Sequence, residues 1–561
     1  MSNRRLRWSL LVATGVLILA MVTRSGLLYW SSLPGTLDGF RYAALAERLL
    51  ATGTLPVDVL DADEFIFTLG LGLASLVTGR PPVRLAQPFV TVAGAVGPLL
   101  GAALAIQLVR RLDGWTHRSG LAVATLAGSL LAINGLYVQR TGVPDEGALA
   151  HVLIALLVLV AAAWLETHDW RWGMLTGLVL GTFPLLHNLG TLIAVLTLTA
   201  LGALYLIHAQ TWTDLLRVSG LVVASWTVFI GYYELAAWVG LNLTYTGLIR
   251  PYVGLVVAWV IVLIIGVLWL YTTSSRWLRT TGGILIGGLF VLVVVNAIRP
   301  VFPGTIPTPL FVLIAVFGLV PVAALAVVGL SPLRSRPGLG ILAAGAAPMI
   351  LIAYLLTASL TPPFFDALIR VQAYLQLPAS IAAAVAVGWI WYRYHTTAHR
   401  RLIVTGVVCV LVVGTLMTFP LALFDLDTGA PSTAMEAEFQ ATGFTTTYSE
   451  GSFAAGQYVA KISRSYYGPL ETAPQFGETG RATVQPIRQW LDGAPPPACP
   501  TLVQQRWTTS GAHLYPTPPK TLDADRLDHF RTRNSVVYTA GTGPDATWFV
   551  IPSTNSSTTR C

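Results

Sequence analysis

The chain has 561 residues, of which 54% are hydrophobic and only 11% are charged, whereas soluble globular chains carry about 25% charged residues. This composition excludes a soluble enzyme and a disordered protein. The formal net charge is +8, but the basic residues are scattered between apolar runs. They form no stripe against which a nucleic-acid backbone could lie, so we predict a polytopic membrane protein with no nucleic-acid partner.

Long apolar runs predict the transmembrane part, because a helix needs about 20 mostly apolar residues to cross the hydrocarbon core. Thirteen such runs predict an all-α bundle of about 13 transmembrane helices. They lie near residues 8–30, 86–109, 119–138, 147–165, 172–187, 189–207, 218–238, 252–271, 281–298, 308–330, 338–358, 375–392 and 402–424. A shorter run over 65–78 predicts a re-entrant or surface helix instead.

The placement of arginines predicts the orientation of the bundle. If the N-terminus is cytoplasmic, one set of loops carries most of the arginines, including Arg110, Arg111, Arg334 and Arg336, and the other set carries mainly single ones. The positive-inside rule then places the first set in the cytoplasm. We therefore predict a multi-pass protein of the plasma membrane with a cytoplasmic N-terminus. If the 65–78 run crossed the membrane, every later loop would be inverted.

The composition changes after residue 424 and becomes rich in Pro, Gly and Thr, with short strand-like runs at 534–539 and 547–551. We predict a transmembrane domain over 1–424 and a small extracytoplasmic domain of mixed or β structure over 425–561. Cys499 and Cys561 lie in this second domain, where they form a disulfide or stay as free thiols. Lys461 and Lys520 are the only lysines of the chain, which we interpret as codon bias rather than chemistry.

An unusually long outer segment, 31–85, follows the first span. Pro34 and Gly35 end the first helix, and either Thr36 or Asp38 can cap a new amphipathic helix that stops at Gly53. We expect this helix to lie along the membrane surface. Asp38 is then either a helix cap or a carboxylate at the water–lipid boundary that can act as a general base or metal ligand.

A second acidic pair, Asp145-Glu146, follows Pro144 just before the fourth predicted span. Acidic residues suit the first turn of a helix, so a purely structural role is one interpretation. Both acidic sites are predicted on the same outer face, however, and this favours a shared functional site.

The order and spacing of several short motifs resemble the GT-C superfamily of integral-membrane glycosyltransferases. This superfamily includes protein O-mannosyltransferases, aminoarabinose transferases and oligosaccharyltransferases. The resemblance covers roughly residues 8–210, with a weaker match near 366–390. The matching residues are Asp38, Tyr42, Ala46 and Gly53; the apolar segment from Phe65 to Gly79; Arg110-Arg111-Leu112-Asp113-Gly114; Arg140 with Asp145-Glu146; and the glycine-rich run from Gly177 to His187 and Asn188.

The resemblance implies an inverting transfer of one sugar from a polyprenyl-phosphate or dolichyl-phosphate donor to an extracytoplasmic glycan, lipid or protein. Such chemistry belongs to cell-envelope synthesis or protein glycosylation. Asp38 would be the catalytic base, and Asp145 and Glu146 would assist it. Asp38 and Asp145 could instead hold a divalent cation, Mg or Mn, through hard oxygen ligands.

The resemblance also implies a substrate-binding set of Arg370, His187, Tyr42, Arg140 and Tyr374. Arg370 is the expected partner of the leaving phosphate, since a guanidinium binds phosphate through two donors. It could instead pair only with Asp366, one helical turn away. His187 would contact phosphate or metal, or it would be a hydrogen-bonded structural histidine.

Two features limit the choice of function. The chain has no Trp-Trp pair, whereas the oligosaccharyltransferases carry a Trp-Trp-Asp-type acceptor motif, so transfer of a single sugar is favoured over transfer of an oligosaccharide. The rival function is a secondary transporter or an exporter of polysaccharide or lipid. Transporters commonly show internal repeats and ionisable groups at the membrane midplane, and neither is evident here. A degenerate scaffold without activity is a third alternative.

Overall fold

A computed structural model describes residues 3–112, 115–209, 211–241, 246–305, 307–393, 397–424, 433–449, 451–468, 482–514, 517–553 and 561. Asp113 and Gly114, which belong to one motif of the resemblance, lie outside these residues. So does the predicted domain boundary at 424/425, because residues 425–432 are not described.

The part before residue 425 is helical wherever it is regular. Its helices are α1 Asn3–Arg24, α2 Leu37–Thr52, α3 Phe65–Thr78, α4 Pro82–Arg110, α5 His117–Ile133, α6 Gly135–Thr141, α7 Glu146–Thr167, α8 Trp170–Thr182, α9 Asn188–Leu206, α10 Trp212–Val239, α11 Thr246–Ile249, α12 Val253–Thr272, α13 Ser275–Ile298, α14 Leu310–Phe317, α15 Val320–Leu333, α16 Leu339–Ala358, α17 Pro362–Tyr374, α18 Gln376–Arg393, α19 Thr397–Leu416 and α20 Pro420–Leu423.

The part after residue 432 is mixed. Its elements are α21 Glu436–Tyr448, β1 Phe453–Ala455, α22 Gln457–Ser465, β2 Ala482–Thr483, α23 Gln485–Leu491, β3 Thr501–Gln504, β4 Ala512–Leu514, β5 Thr517–Lys520, α24 Ala524–Arg533, β6 Ser535–Ala540 and β7 Thr547–Ile551. Both strands predicted from the sequence are confirmed as β6 and β7.

Within the described residues, 11 helices are long and apolar enough to cross a membrane, or 12 if the bent pair α5 and α6 is one span. The all-α membrane bundle is therefore confirmed, but the expectation of a span-long helix over 172–187 is wrong. That segment forms only α8, of 13 residues, which ends two residues before Pro184, whose nitrogen has no hydrogen for a further helical bond. The chain from α8 to His187 still runs back from the end of α7 to its start, since His187 lies beside Glu146 in the first turn of α7.

The bend between α5 and α6 is 69° and is fixed by Asn134 and Gly135. The side chain of Asn134 caps α6 by accepting a bond from the Tyr137 amide. A Cβ atom on Gly135 would lie 1.7 Å from the carbonyl oxygen of Thr418, so only glycine allows this approach. The bend turns α6 across the end of the bundle and so places the loop before α7.

Helix α3 has 14 residues, or about 21 Å, too short for a hydrocarbon core of about 30 Å. It packs beside α2 and α4 and ends at Gly79, which adopts a left-handed conformation. Its location at the membrane surface stays a prediction.

The C-terminal part contains a five-stranded sheet in the order β2-β1-β3-β7-β6, in which β1 is parallel to β2 and β3 while β7 is antiparallel to β3 and β6. The buried rings of Trp490 and Trp507 belong to its core. Cys499 and Cys561 form a disulfide with a Cα–Cα distance of 5.4 Å. The sequence left open whether these two cysteines are bridged, and the structure joins them.

This C-terminal part packs directly on α2 and α4. Arg84 of α4 forms a two-point ion pair with Glu436 of α21. The ring of Phe40 in α2 stacks on that of Phe439 at 5.8 Å. The hydroxyl of Tyr466, just after α22, donates to Glu47 of α2 at 2.7 Å. The joint therefore brings α22 alongside α2.

Candidate active site

The predicted amphipathic helix is present as α2, and its N-cap is Thr36 rather than Asp38. The hydroxyl oxygen of Thr36 accepts a hydrogen bond from the Gly39 amide at 3.2 Å. Asp38 lies in the first turn with its side chain reachable by solvent. Loss of bulk solvation raises the pKa of Asp38, and the negative charge of Asp145 raises it further.

Asp145 and Glu146 begin α7 close to this turn. Asp145 is buried and caps α7, since its Oδ1 accepts a bond from the Gly147 amide at 2.7 Å. One carboxylate oxygen of Glu146 accepts the hydroxyl proton of Tyr42, one helical turn after Asp38. Asp145 therefore has the structural role that the sequence allowed, while Glu146 links α7 to α2.

Two polar contacts lock the loop before α2 to the loop before α7. The Thr36 hydroxyl donates to the carbonyl of Pro144 at 2.7 Å. The fully buried Gln87 of α4 accepts from the Gly35 amide at 3.0 Å and donates to the Gly142 carbonyl at 2.6 Å. These bonds bring the two acidic loops together although more than 100 residues separate Asp38 from Asp145.

Charge explains why Asp145 is ionised although it is buried. Burial alone would raise the pKa of Asp145, but Arg370 and His187 and the hydrogen bond from Gly147 lower it to about 2. The two carboxyl groups therefore differ in charge. Asp145 stays negatively charged, whereas Asp38 binds a proton at a higher pH than Asp145 does.

His187 is the N-cap of α9 and so has a hydrogen-bonded structural role, while its contact with phosphate stays a prediction. Its Nδ1 accepts a bond from the Gly190 amide at 2.8 Å, which assigns the ring proton of the neutral imidazole to Nε2. Burial lowers the pKa of His187 to about 4. The protonated Nε2 lies 3.9 Å from Oε1 of Glu146, so the same histidine also borders the acidic cluster.

Asp145, Glu146 and His187 each offer a ligand atom, and these atoms lie within 4.8 Å of one another. The two carboxylates fit a hard cation such as Mg or Mn. His187 does not fit, because its Nδ1 lone pair is used by the cap and its Nε2 carries the proton. Asp38 does not belong to this group of ligand atoms in the described part of the chain, so the Asp38–Asp145 metal pair stays a prediction.

The three remaining predicted residues also lie at this end of the bundle. Nε of Arg370 lies 3.1 Å from Oδ2 of Asp366, and its charge also acts on Asp38 and Asp145. Arg140 is in the last turn of α6 and its charge reaches His187. Tyr374 is buried and stacks on the ring of His151 at 3.7 Å. The Tyr374 hydroxyl has no hydrogen-bond partner among the described residues.

Sequence reasoning missed Asp63, a buried carboxyl group just before α3. Its Oδ2 accepts a bond from the Asn188 amide at 3.3 Å, at the start of α9. Burial and the neighbouring Glu64 raise the pKa of Asp63 to about 7. The signal was present: Asp61-Ala-Asp63-Glu64 precedes an apolar helix in the same way as Asp145-Glu146 does. Glu64 itself pairs with Arg41 at 2.6 Å.

An apolar groove begins beside this acidic cluster. Its first section, with a cavity volume of about 20 Å³, starts at Asn188 and is lined by α9, α10, α11, α16 and α17. A second section, with a cavity volume of about 10 Å³, continues along α9, α12 and α16. The two sections share Leu192, Leu351 and Tyr354. The polar residues at the start of α9 thus adjoin a narrow apolar cleft in the membrane part.

No family model matches the chain, and no curated protein matches it in sequence. Among solved structures, it is similar to the oligosaccharyltransferase of Archaeoglobus fulgidus in its apo form, with 15% identity and a TM-score of 0.50. That match covers 85% of this chain and 66% of the other, so this chain spans slightly less than two thirds of the archaeal enzyme. The chain has the GT-C fold.

A second structure with the GT-C fold, ArnT from Cupriavidus metallidurans in the apo state, matches with 12% identity and a TM-score of 0.45 and covers 98% of both chains. The archaeal enzyme AglB in complex with an inhibitory peptide and a dolichol-phosphate matches with 15% identity, covering 83% of this chain and 64% of the other at a TM-score of 0.46. The match to the apo archaeal oligosaccharyltransferase confirms the expected resemblance at the level of the fold.

Proposed function

We propose that the chain is an inverting glycosyltransferase that moves one sugar from a polyprenyl-phosphate donor to an acceptor glycan, lipid or protein. The observation that carries this proposal is the junction between the acidic cluster of Asp38, Asp145 and Glu146 and the apolar groove. A donor of this class has the same two halves, since an anionic phosphate and a sugar are joined to a long apolar chain.

The groove between α9, α12 and α16 would take the isoprenoid. Arg370 supports this arrangement, because it lies one turn beyond Ala367, which lines the groove. A guanidinium at that position would bind the phosphate where the apolar chain ends. The pairing of Arg370 with Asp366 does not oppose this role, since the pair is half-buried and even exposed pairs one turn apart contribute only about 0.3–0.5 kcal/mol.

Asp38 would act as the base. Its carboxylate accepts the proton of the acceptor group while the acceptor atom forms its bond to the anomeric carbon. The bond between that carbon and the phosphate oxygen breaks, and the phosphate leaves with the electron pair on its oxygen. One displacement inverts the anomeric centre. The raised pKa of Asp38 suits a base that must hold a proton after transfer.

The other residues would hold the reactants in place. Tyr42 and Glu146 form one hydrogen-bonded unit beside Asp38, and Arg140 and Tyr374 would border the sugar or phosphate. His187 would donate from Nε2. A divalent cation, Mg or Mn, would be held by Asp145 and Glu146 and would supply a Lewis acid for the leaving phosphate.

We place this site on the extracytoplasmic side of the plasma membrane, as the arginine distribution predicts. The Cys499–Cys561 disulfide supports this orientation, because disulfides persist in oxidising compartments. The C-terminal part would then lie outside the cell, where acceptors for cell-envelope synthesis or protein glycosylation are found.

The test is mass spectrometry of surface glycans and lipid-linked sugars in a deletion strain complemented with wild type, Asp38→Asn or Asp58→Asn. Asp58 is a matched control, since it lies in the same segment but pairs with Arg48 on the surface. We expect wild type and Asp58→Asn to restore one missing sugar and Asp38→Asn to leave it missing. Equal restoration by all three would refute the role of Asp38. Glycans and lipid-linked sugars that do not change on deletion would favour the transporter or exporter function.

A further inference from the structure

Three arginines meet where the start of α13 packs against the end of α15. Arg279 of α13 donates through Nε to the hydroxyl of Ser331 at 3.3 Å. Arg334, which follows α15, donates through Nη2 to the hydroxyl of Ser275 at 2.6 Å. Each arginine lies one turn from the serine that the other arginine contacts, so the two crossed bonds bring both guanidinium groups close together. The exposed Arg276 precedes Arg279 by one turn on α13. We call these three arginines the arginine patch.

The arginine patch lies at the opposite end of the bundle from the acidic cluster. Arg334 also donates to the carbonyl of Thr273, which follows α12. In the last turn of α12, the hydroxyl of Tyr271 lies 3.1 Å from Nε2 of His208, which follows α9. Helix α9 begins at the acidic cluster, where His187 caps it, and its 19 residues extend about 28 Å. The patch is therefore remote from the proposed donor site, at the end that the arginine distribution predicts to be cytoplasmic.

No acidic side chain in the described part of the chain pairs with the arginine patch. Between residues 235 and 424 the sequence has one acidic residue, Asp366, and it pairs within α17 beside the active site. The acidic residues described at the patch end of the bundle are Glu166, Asp169 and Asp214. Glu166 and Asp214 each pair with another arginine, and Asp169 caps α8. The positive charge of the patch therefore has no carboxylate to balance it among the described residues.

The patch borders a helix surface that would face lipid. Helix α13 is a candidate membrane span. Trp277, next to Arg276, is 61% exposed, and Ile284, two turns further along α13, is 68% exposed. Tryptophan is enriched at the level of lipid headgroups, and exposed apolar side chains beyond it would contact the acyl chains. An arginine beside Trp277 therefore lies at the depth of the lipid phosphates.

We propose that the arginine patch binds the phosphate of an anionic phospholipid in the leaflet that surrounds it. Arg279 stacks over the ring of Trp389 at 6.0 Å and uses only Nε in a hydrogen bond among the described residues. Its other nitrogens and the exposed guanidinium group of Arg276 can thus donate to phosphate oxygens. The acyl chains would cover the apolar surface of α13, which a free anion would leave exposed. This inference goes beyond the proposed function and does not depend on it.

A bound headgroup would also stabilise the packing of α13 on α15. Like charges one turn apart on a helix repel each other, as Arg276 and Arg279 do at the start of α13. A phosphate between α13 and α15 offsets this repulsion on both helices. Because such a lipid binds only the folded protein, it raises the stability of the fold. The patch therefore couples the stability of the bundle to the charge of the membrane lipids.

Lipid titration followed by native mass spectrometry tests the proposal on the full-length protein in detergent. Phosphatidylglycerol is compared with phosphatidylcholine of the same acyl chains, which has no net charge. We expect phosphatidylglycerol to bind more tightly. The double variant Arg276→Gln, Arg279→Gln should bind it about thirtyfold more weakly, since each arginine near an anionic lipid contributes a factor of about five. Arg334 stays unchanged, because its bonds also hold the turn between α12 and α13.

Two control variants separate a site from a general effect of charge. Arg299→Gln removes an exposed arginine at the other end of the same helix and should bind phosphatidylglycerol as wild type does. The double variant Arg276→Lys, Arg279→Lys keeps both charges and should recover most of the affinity. The melting temperature without added lipid checks that each variant is folded.

Three results would overturn the inference. The first is that wild type and the double glutamine variant bind phosphatidylglycerol equally. The second is that phosphatidylcholine binds wild type as tightly as phosphatidylglycerol does, since the patch then does not select a negative charge. The third is that inorganic phosphate at the same concentration displaces phosphatidylglycerol, since the patch then takes a free anion rather than a lipid. The proposed function would stand in all three cases.

Discussion

Gln87 should control whether the two acidic loops stay together. Its fully buried side chain accepts from the Gly35 amide at 3.0 Å and donates to the Gly142 carbonyl at 2.6 Å. The change Gln87→Leu keeps a similar volume but removes both bonds. The buried Gly142 carbonyl and the Gly35 amide would then each lose the partner that Gln87 provides.

The magnitude follows from the cost of an unsatisfied buried polar group, about 1–3 kcal/mol. A local loss of that size raises the population of the opened loop roughly fivefold to a hundredfold. Hydrogen–deuterium exchange of a peptide covering 31–40 measures this directly, because the Gly35 amide exchanges only when its bond opens. The sugar-transfer reaction should also slow, since the distance between Asp38 and Asp145 is no longer fixed.

Gln440→Leu is the matched control, because Gln440 is exposed and, among the described residues, its side chain bonds only to Glu436 on its own helix. The control should leave exchange in 31–40 unchanged. If Gln87→Leu folds and the 31–40 peptide exchanges at the wild-type rate, the two hydrogen bonds do not hold the loops, and our account of how the site is assembled is wrong.

The pKa of Asp63 is raised from 3.8 to about 7 in the folded protein. Between these pH values the folded protein keeps a proton on Asp63 that the unfolded chain has lost. The free energy of unfolding therefore falls as the pH rises from about 4 to about 7. Asp63→Asn should therefore raise the melting temperature by an amount that grows across that window and is constant above it; a difference independent of pH would refute the assignment. Gly135→Ala should prevent normal folding, because its Cβ would lie 1.7 Å from the Thr418 carbonyl oxygen. Gly177→Ala, at a helical glycine with no atom within 4 Å, should leave the melting temperature unchanged, and equal stability of the two variants would contradict the packing of α6.

Local sequence determined the helices, because apolar length and helix-ending residues act over a few neighbours. The apolar runs indicated the membrane bundle, and Pro34, Gly35 and Gly53 marked the ends of α2. The prediction of one helix over 172–187 was wrong because mean hydropathy treats Pro184 like any other residue among its apolar neighbours, although a proline can end a helix.

The site was only partly visible in the sequence. Asp38 and Asp145-Glu146 stood out because carboxylates are rare in so apolar a chain. Asp63 was passed over because its burial depends on Asn188, 125 residues away. The role of Gln87 was likewise invisible, since a glutamine within an apolar helix gives no sign of the two loops that it joins.

The sequence by itself determined which residue types are available and on which segments they lie. Tertiary structure alone decided that the loops of Thr36 and Pro144 touch, that His187 returns to the start of α7, and that Tyr466 bonds to Glu47. These contacts join parts of the chain that are more than 40 residues apart and in one case more than 400. Their free energy comes from packing and buried hydrogen bonds between elements, and no local pattern records such contacts.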